Sequence, residues 1–276
     1  MRNIVVFWVA FYLLCLSVPA SIALEINGEW QQGAVIVGRL SIAEQAAGEQ
    51  VEFQGKKLHI APNGQFVIGL GRDATAAAVL VITNKGKREQ RSFVVKAREY
   101  SVQRVDGVPQ ETVEPSPEQV ERSKREAELV GEARVGDLPL MFFAQKFQWP
   151  LLGPISGVYG SQRIYNGVPK TPHYGVDIAK PSGTLVHAPA GGVVTLAYPD
   201  MFFSGGTLII DHGHGLSSTF IHLSKILVKK GDAIVQGQEI ALVGQTGRAS
   251  GPHLHWAMNW FQTRVDPQLL VGPMPE

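Results

Sequence analysis

The chain has 276 residues, of which 45% are hydrophobic and 18% charged, so it holds enough apolar material for a core and wholesale disorder is excluded. Thirty glycines and 17 prolines favour a turn-rich β body over a helical bundle. Lys+Arg 25 against Asp+Glu 24 leaves a net charge of +1, which gives no electrostatic case for binding nucleic acid or a polybasic membrane surface.

The first 23 residues read as a secretory signal peptide. Arg2 gives a short positive start, Ile4–Val18 is a 15-residue run without charge, and small residues precede a cleavage point after Ala23. The competing reading is an uncleaved anchor, since Ile4 to Leu24 is just long enough to span a bilayer. Cys15 lies inside this segment and is the one cysteine of the chain. That excludes a disulfide framework, a cysteine zinc site and a thiol nucleophile. The expected location is exported, periplasmic or cell envelope, with membrane contact only if the segment stays uncleaved.

Residues 24–105 read as a small β-sandwich. Short apolar runs recur at Ala34–Val37, Val51–Phe53, Leu58–Ile60, Phe66–Ile68, Val79–Thr83, Ser92–Val95 and Tyr100–Val105. Pro62-Asn63-Gly64 and Asn84-Lys85-Gly86-Lys87 supply turns, because Asn-Gly and Gly tolerate positive φ. His59 stands in a strand pattern and reads as structural. Residues 106–146 form a connector broken by Pro109, Pro115 and Pro117. Ser116-Pro117-Glu118-Gln119 is a helix start with Ser at the N-cap and Gln at N3. The helix expected over 117–134 is charged on most faces and reads as a solvated spacer. An envelope protein partner docking through the N-terminal domain or this helix is the weaker expectation.

Residues 147–276 change texture. Short β runs at Gly157-Val158-Tyr159, Gly192–Leu196, Thr207–Asp211, Ser217–Ile221, Glu239–Val243 and His253–Met258 predict an antiparallel β domain. Seven of the 8 histidines fall between 173 and 255. His173-Tyr174-Gly175-Val176-Asp177 places an imidazole and a carboxylate four residues apart, with Gly175 allowing a bend. His253-Leu254-His255 on a strand puts both imidazoles on one face, either as two ligands or as a ligand beside an acid/base group. His222 follows a β run and is a candidate proton-handling group. Imidazole nitrogen and carboxylate oxygen suit zinc, and a hydrolytic site needs about three protein ligands plus an open position. Asp211-His212-Gly213-His214-Gly215 is better read as a tight turn than as a second metal cluster. Trp256, Trp260 and Phe261 suit either a groove or the core.

From Pro150 to Pro267 the chain resembles the lysostaphin-like, or LytM-type, zinc endopeptidases. The likeness rests on Gly157–Gly160, His173–Ile178 with Pro181–Thr184, Ala188–Val194, Ile210–Gly213, His222–Ser224, Val228–Gly237, Val243–Gly247 and Gly251–His255. It implies an antiparallel metallopeptidase sheet of the duplicated hybrid motif type. It implies one Zn2+ held by His173, Asp177 and His255, with His222 and His253 as catalytic histidines. The implied activity is hydrolysis of peptide bonds in peptidoglycan stem peptides or cross-links by metal-activated water. The alternative is a catalytically silent regulator or scaffold of other cell-wall hydrolases; in such members ligands are usually replaced, whereas all five positions are filled here. One departure is Phe220, where many members carry Tyr. Val228–Gly237 also resembles half of a biotinyl or lipoyl barrel, but no hairpin-tip lysine motif accompanies it.

Overall fold

A computed structural model describes residues 24–41, 50–84, 86–105, 116–165 and 167–275. The signal segment expected at 1–23, with Cys15, lies outside them, as do Pro109 and Pro115. Among the described residues no helix is long and apolar enough to cross a membrane.

The chain is mainly β. Its largest sheet has eight strands, ordered Ala233–Ile234, Gly192–Met201, Gly205–Gly213, Leu216–Leu223, His253–Trp260, Val176–Ala179 and Ile155–Gly157, with Thr263–Val265 added beside His253–Trp260. Neighbours in this sheet run antiparallel. The two central strands are almost wholly buried, because both faces are covered. Near one end a three-stranded sheet of Leu185–His187, Glu239–Leu242 and Lys225–Ile226 closes the body.

The N-terminal part forms a three-stranded sheet (Leu24–Asn27, Val35–Leu40, Gln65–Gly69) and a four-stranded one (Lys56–Lys57, Gln50–Phe53, Ala77–Asn84, Lys87–Val94). The Ala77–Asn84 and Lys87–Val94 hairpin closes where expected, at Asn84 opposite Lys87, with Gly86 at φ +79°. The Pro62–Gly64 turn also forms, Gly64 N–H donating to the Ala61 carbonyl at 2.8 Å. The run before it, Leu58–Ile60, is not a strand. Gly64 packs against Leu40 so closely that a Cβ would sit 2.3 Å from the Leu40 carbonyl oxygen, and Gln65–Gly69 pairs with Val35–Leu40 instead.

Two expectations change. The run near Tyr100–Val105 does not pair within the N-terminal sheets. Its strand, Val102–Val105, runs parallel to Gln162–Tyr165 and so stitches the N-terminal segment to the C-terminal one. The helix α1, Pro117–Arg134, has the expected Ser116 capping box with Gln119. It is not a solvent-surrounded spacer, however. Val130 and Ala133 pack on Leu196, Met201 and Ile209 of the large sheet, and Glu126 and Arg134 are buried. A charged pattern hides this seam because the helix presents only a narrow apolar stripe.

The two ends of the chain share one apolar cluster that runs from Ile36, Phe53, Phe66 and Leu80 through Trp256, Trp260 and Val265. Phe53 meets Trp260 with ring centroids 5.9 Å apart. Gly69 lies so near that a Cβ would stand 2.5 Å from the Trp260 Cβ. Arg98 bonds the buried Asp266 at 2.8 Å across the same seam. Trp256 and Trp260 are therefore core residues.

His212 is structural, as its turn context implied. Its Nδ1–H donates to the Gly191 carbonyl at 2.7 Å, and its Nε2 accepts from the Ser218 hydroxyl at 2.8 Å. His59 has found a partner across the fold, stacking on His214 at 4.5 Å. Burial pushes the pKa of His212 down to about 4, against an unfolded value near 6.5. The unfolded chain then binds more protons at this site as pH falls below about 6.5, so folding loses stability down to about pH 4. At pH 5 that penalty is about 2 kcal/mol. Replacing His212 by Asn is expected to lower the melting temperature more at pH 7 than at pH 5, in paired thermal melts. An equal loss at both pH values would contradict a neutral, buried His212.

Candidate metal and acid/base site

The site is built where the edge of the large sheet meets its centre. Val176–Ala179 pairs antiparallel with His253–Trp260, and the register sets Asp177 directly opposite His255. Residues directly opposite in such a pair share a face, so carboxylate and imidazole meet without any bend in the chain. The loop before Val176 returns His173 over the same spot. His173 Nε2, Asp177 Oδ1 and His255 Nδ1 all lie within 4.8 Å of one another. The individual separations are 3.0 Å for His173–Asp177, 2.7 Å for His255–Asp177 and 3.0 Å between the two imidazoles.

Two glycines make this approach feasible. A Cβ on Gly157 would stand 2.4 Å from Asp177 Oδ2, and one on Gly175 would stand 2.6 Å from His255 Nε2. Backbone carbonyls then fix which ring nitrogens face inward. His173 Nδ1 sits 3.0 Å from the Val158 carbonyl and, donating there, presents its Nε2 lone pair to the cluster. Two imidazole nitrogens and one carboxylate oxygen converging in this way match the donor set of a zinc-type ion with three protein ligands.

His222 and His253 flank the cluster. Their rings lie 4.9 Å apart, and His222 is 6.4 Å from His255 between centroids. His222 Nδ1 donates to the Thr246 carbonyl at 2.8 Å, and His253 Nδ1 donates to the Gly251 carbonyl at 2.8 Å. Each is thereby left with a free Nε2, and that of His253 is 3.8 Å from Asp177 Oδ1. His222 has φ +64°, a left-handed conformation unusual for a side chain of its size. Such strain at a polar cluster is the kind that functional sites hold. Phe220, two residues earlier, is fully buried in the core, so the position that departs from many relatives does not face the site.

The electrostatics separate the roles. Burial would raise the Asp177 carboxyl, but the hydrogen bonds and charge that His173 and His255 supply when protonated outweigh it and hold the group far below the usual carboxylate range. Arg163, 3.8 Å away, adds positive charge. Asp177 is therefore an anion at every physiological pH. Burial pushes His222 down to about 4, so it stands neutral with an available lone pair, and burial likewise lowers His255. Sequence reading named the five side chains but missed Arg163 and the carbonyls of Val158, Thr246 and Gly251. A carbonyl carries no residue-type signal, and Arg163 belongs to a different sheet, in the Gln162–Tyr165 strand.

Residues 171–267 match Peptidase family M23. Peptidoglycan DD-endopeptidase ShyA of Vibrio cholerae serotype O1 is 45% identical over 89 residues, which is 32% of this chain and 20% of ShyA. DD-carboxypeptidase/endopeptidase Mpg of Neisseria meningitidis serogroup B is 36% identical over 104 residues, 38% of this chain and 24% of Mpg. The matches thus span about a fifth to a quarter of those relatives' own length. A crystal structure from Pseudomonas aeruginosa, described provisionally as peptidase M23, superposes with a TM-score of 0.68 at 29% identity, covering 89% of this chain and 96% of that one. The likeness to that structure therefore extends well beyond the sequence match. On these grounds residues 171–267 form a peptidase M23 (LytM-type) domain.

Proposed function

We propose that the protein is an exported, zinc-dependent endopeptidase that hydrolyses peptide bonds in peptidoglycan stem peptides or cross-links. The single observation that carries this reading is the convergence of His173 Nε2, Asp177 Oδ1 and His255 Nδ1 within an M23 domain. The activities for which ShyA and Mpg are named support peptidoglycan as the substrate class. The apolar segment at 4–18 supports export. The complete set of five side chains argues against a silent scaffold.

His173, Asp177 and His255 would hold the ion. Zinc in that position supplies Lewis acidity that polarises the scissile carbonyl and lowers the pKa of a water. The remaining work falls to the chain's own groups. The neutral Nε2 of His222, locked by the Thr246 carbonyl, is oriented to take the proton of the attacking water. His222 can then hand that proton to the leaving amine, and His253, locked by the Gly251 carbonyl, would steady the charge that develops on the carbonyl oxygen in its protonated form, with Nε2–H donating. The low exposure of these groups, 7% for His222 and 15% for the His253 side chain, strengthens both interactions by excluding water.

His173→Ala and His255→Ala are each expected to abolish zinc retention, measured by metal analysis of the purified protein. Chelation of the wild-type chain should stop digestion of purified muropeptides, with recovery on adding Zn2+. Digestion that persists after complete metal removal would refute the metallopeptidase reading. His222→Ala is expected to keep its zinc yet lose about 10²–10⁴-fold in turnover, the usual worth of a general base. Normal turnover by that variant would remove the assigned role.

A further inference from the structure

Beside the metal cluster, a cavity of about 410 Å³ opens between α1 and the large sheet. Its floor follows the sheet face that carries His255. Ile221 opposite His255 forms one row, and Thr219 opposite Ala257 forms the next, roughly 7 Å further on. Its roof is α1, which contributes Glu126, Val130 and Arg134.

Two arginines enter this space. Arg134 is 5% exposed and donates from Nη2 to the Thr219 hydroxyl at 2.9 Å. Its Nε is buried with no hydrogen-bond partner among the described residues. Arg264 also lines the cavity, from the strand paired with His253–Trp260. Among the described residues neither guanidinium makes an ion pair. The one carboxylate that lines the cavity, Glu126, is committed elsewhere: Oε1 accepts from Arg122 at 2.8 Å and Oε2 from the Phe202 N–H at 2.8 Å. Burial, with the charge of Arg264 second, pulls Arg134 down to about 9. A buried cation facing another cation, with a donor unused, is costly unless an anion joins it.

We propose that this cavity is a carboxylate subsite, in which Arg134 and Arg264 grip a carboxylate of the peptide substrate within two residues of the cut bond. The planar fork of each guanidinium suits a carboxylate bidentately. The spacing from the His255 row to the Thr219 row equals about two residues of extended peptide. Arg134 lies outside the 171–267 match, so the connector helix would set specificity for the domain it covers. The proposal rests on the peptidase reading above for the identity of its substrate.

Its test uses the full chain with metal removed by chelation, and two probes measured by titration calorimetry or NMR. N-acetyl-D-alanyl-D-alanine offers a terminal carboxylate, and its C-terminal amide lacks one. A third probe, an amidated peptide with a single γ-D-glutamyl carboxylate, tests a side-chain source of the same group. At least one acid is expected to bind tenfold or more tightly than the amide. Arg134→Gln and Arg264→Gln are each expected to erase that preference, and Arg134→Lys to retain part of it. Absence of a preference in the wild-type chain, including no binding of any probe, overturns the proposal, as does a preference that survives both Gln substitutions. Melting curves check folding; should Arg134→Gln unfold, the less buried Arg264→Gln decides. Acid preference without cleavage of muropeptides would leave the subsite standing and refute the peptidase reading.

Discussion

A carboxylate taken into a protein costs several kcal/mol unless opposite charge or hydrogen bonds accompany it. Asp177 is such a group, and its surroundings answer the cost from three directions. His255 reaches it at 2.7 Å from the neighbouring strand, His173 at 3.0 Å from the preceding loop, and Arg163 at 3.8 Å from another sheet. The nearest of these partners, His255, stands there because Val176–Ala179 pairs antiparallel with His253–Trp260. The site is thus a property of sheet register. A slip of one residue would turn Asp177 to the opposite face and leave His255 with an apolar neighbour.

Three of the four imidazoles, those of His173, His222 and His253, are anchored by main chain, whereas His255 is held by Asp177. Val158, Thr246 and Gly251 carbonyls each accept from an Nδ1, which turns the remaining nitrogen of His173, His222 and His253 toward the shared space. This anchoring uses rigid acceptors that cannot rotate away. The strained backbone of His222, with φ +64°, is supported by its N–H donating to the Ser204 carbonyl at 2.8 Å. Beneath it, the network from Trp256 through Ser218 to His212 fixes the sheet on which these groups stand.

The segments outside the M23 match are joined closely to the domain. The N-terminal sheets share its apolar core through Phe53, Gly69 and Trp260, and Val102–Val105 pairs directly with Gln162–Tyr165. The helix α1 roofs the cavity next to His255. The cavity beside His255 is therefore assembled from parts of the chain more than 100 residues apart, as the Arg134 and Gln262 contributions illustrate.

Residue type and spacing alone identified the five polar side chains, the β character, the helix at 117–134 with its capping box, and the structural nature of His212. These are legible because they depend on local rules: strand alternation, turn-forming glycines and the Ser-Pro-Glu-Gln helix start. The assignment of His255 rather than His253 as the expected ligand came from family resemblance, since alternation places both on one face. Only the tertiary structure decided that Asp177 faces His255, that Val102–Val105 leaves the N-terminal sheets, and that α1 buries Arg134 against Thr219. Those outcomes rest on pairings between distant segments, where the energy lies in cross-strand contact and shared burial that no local pattern encodes.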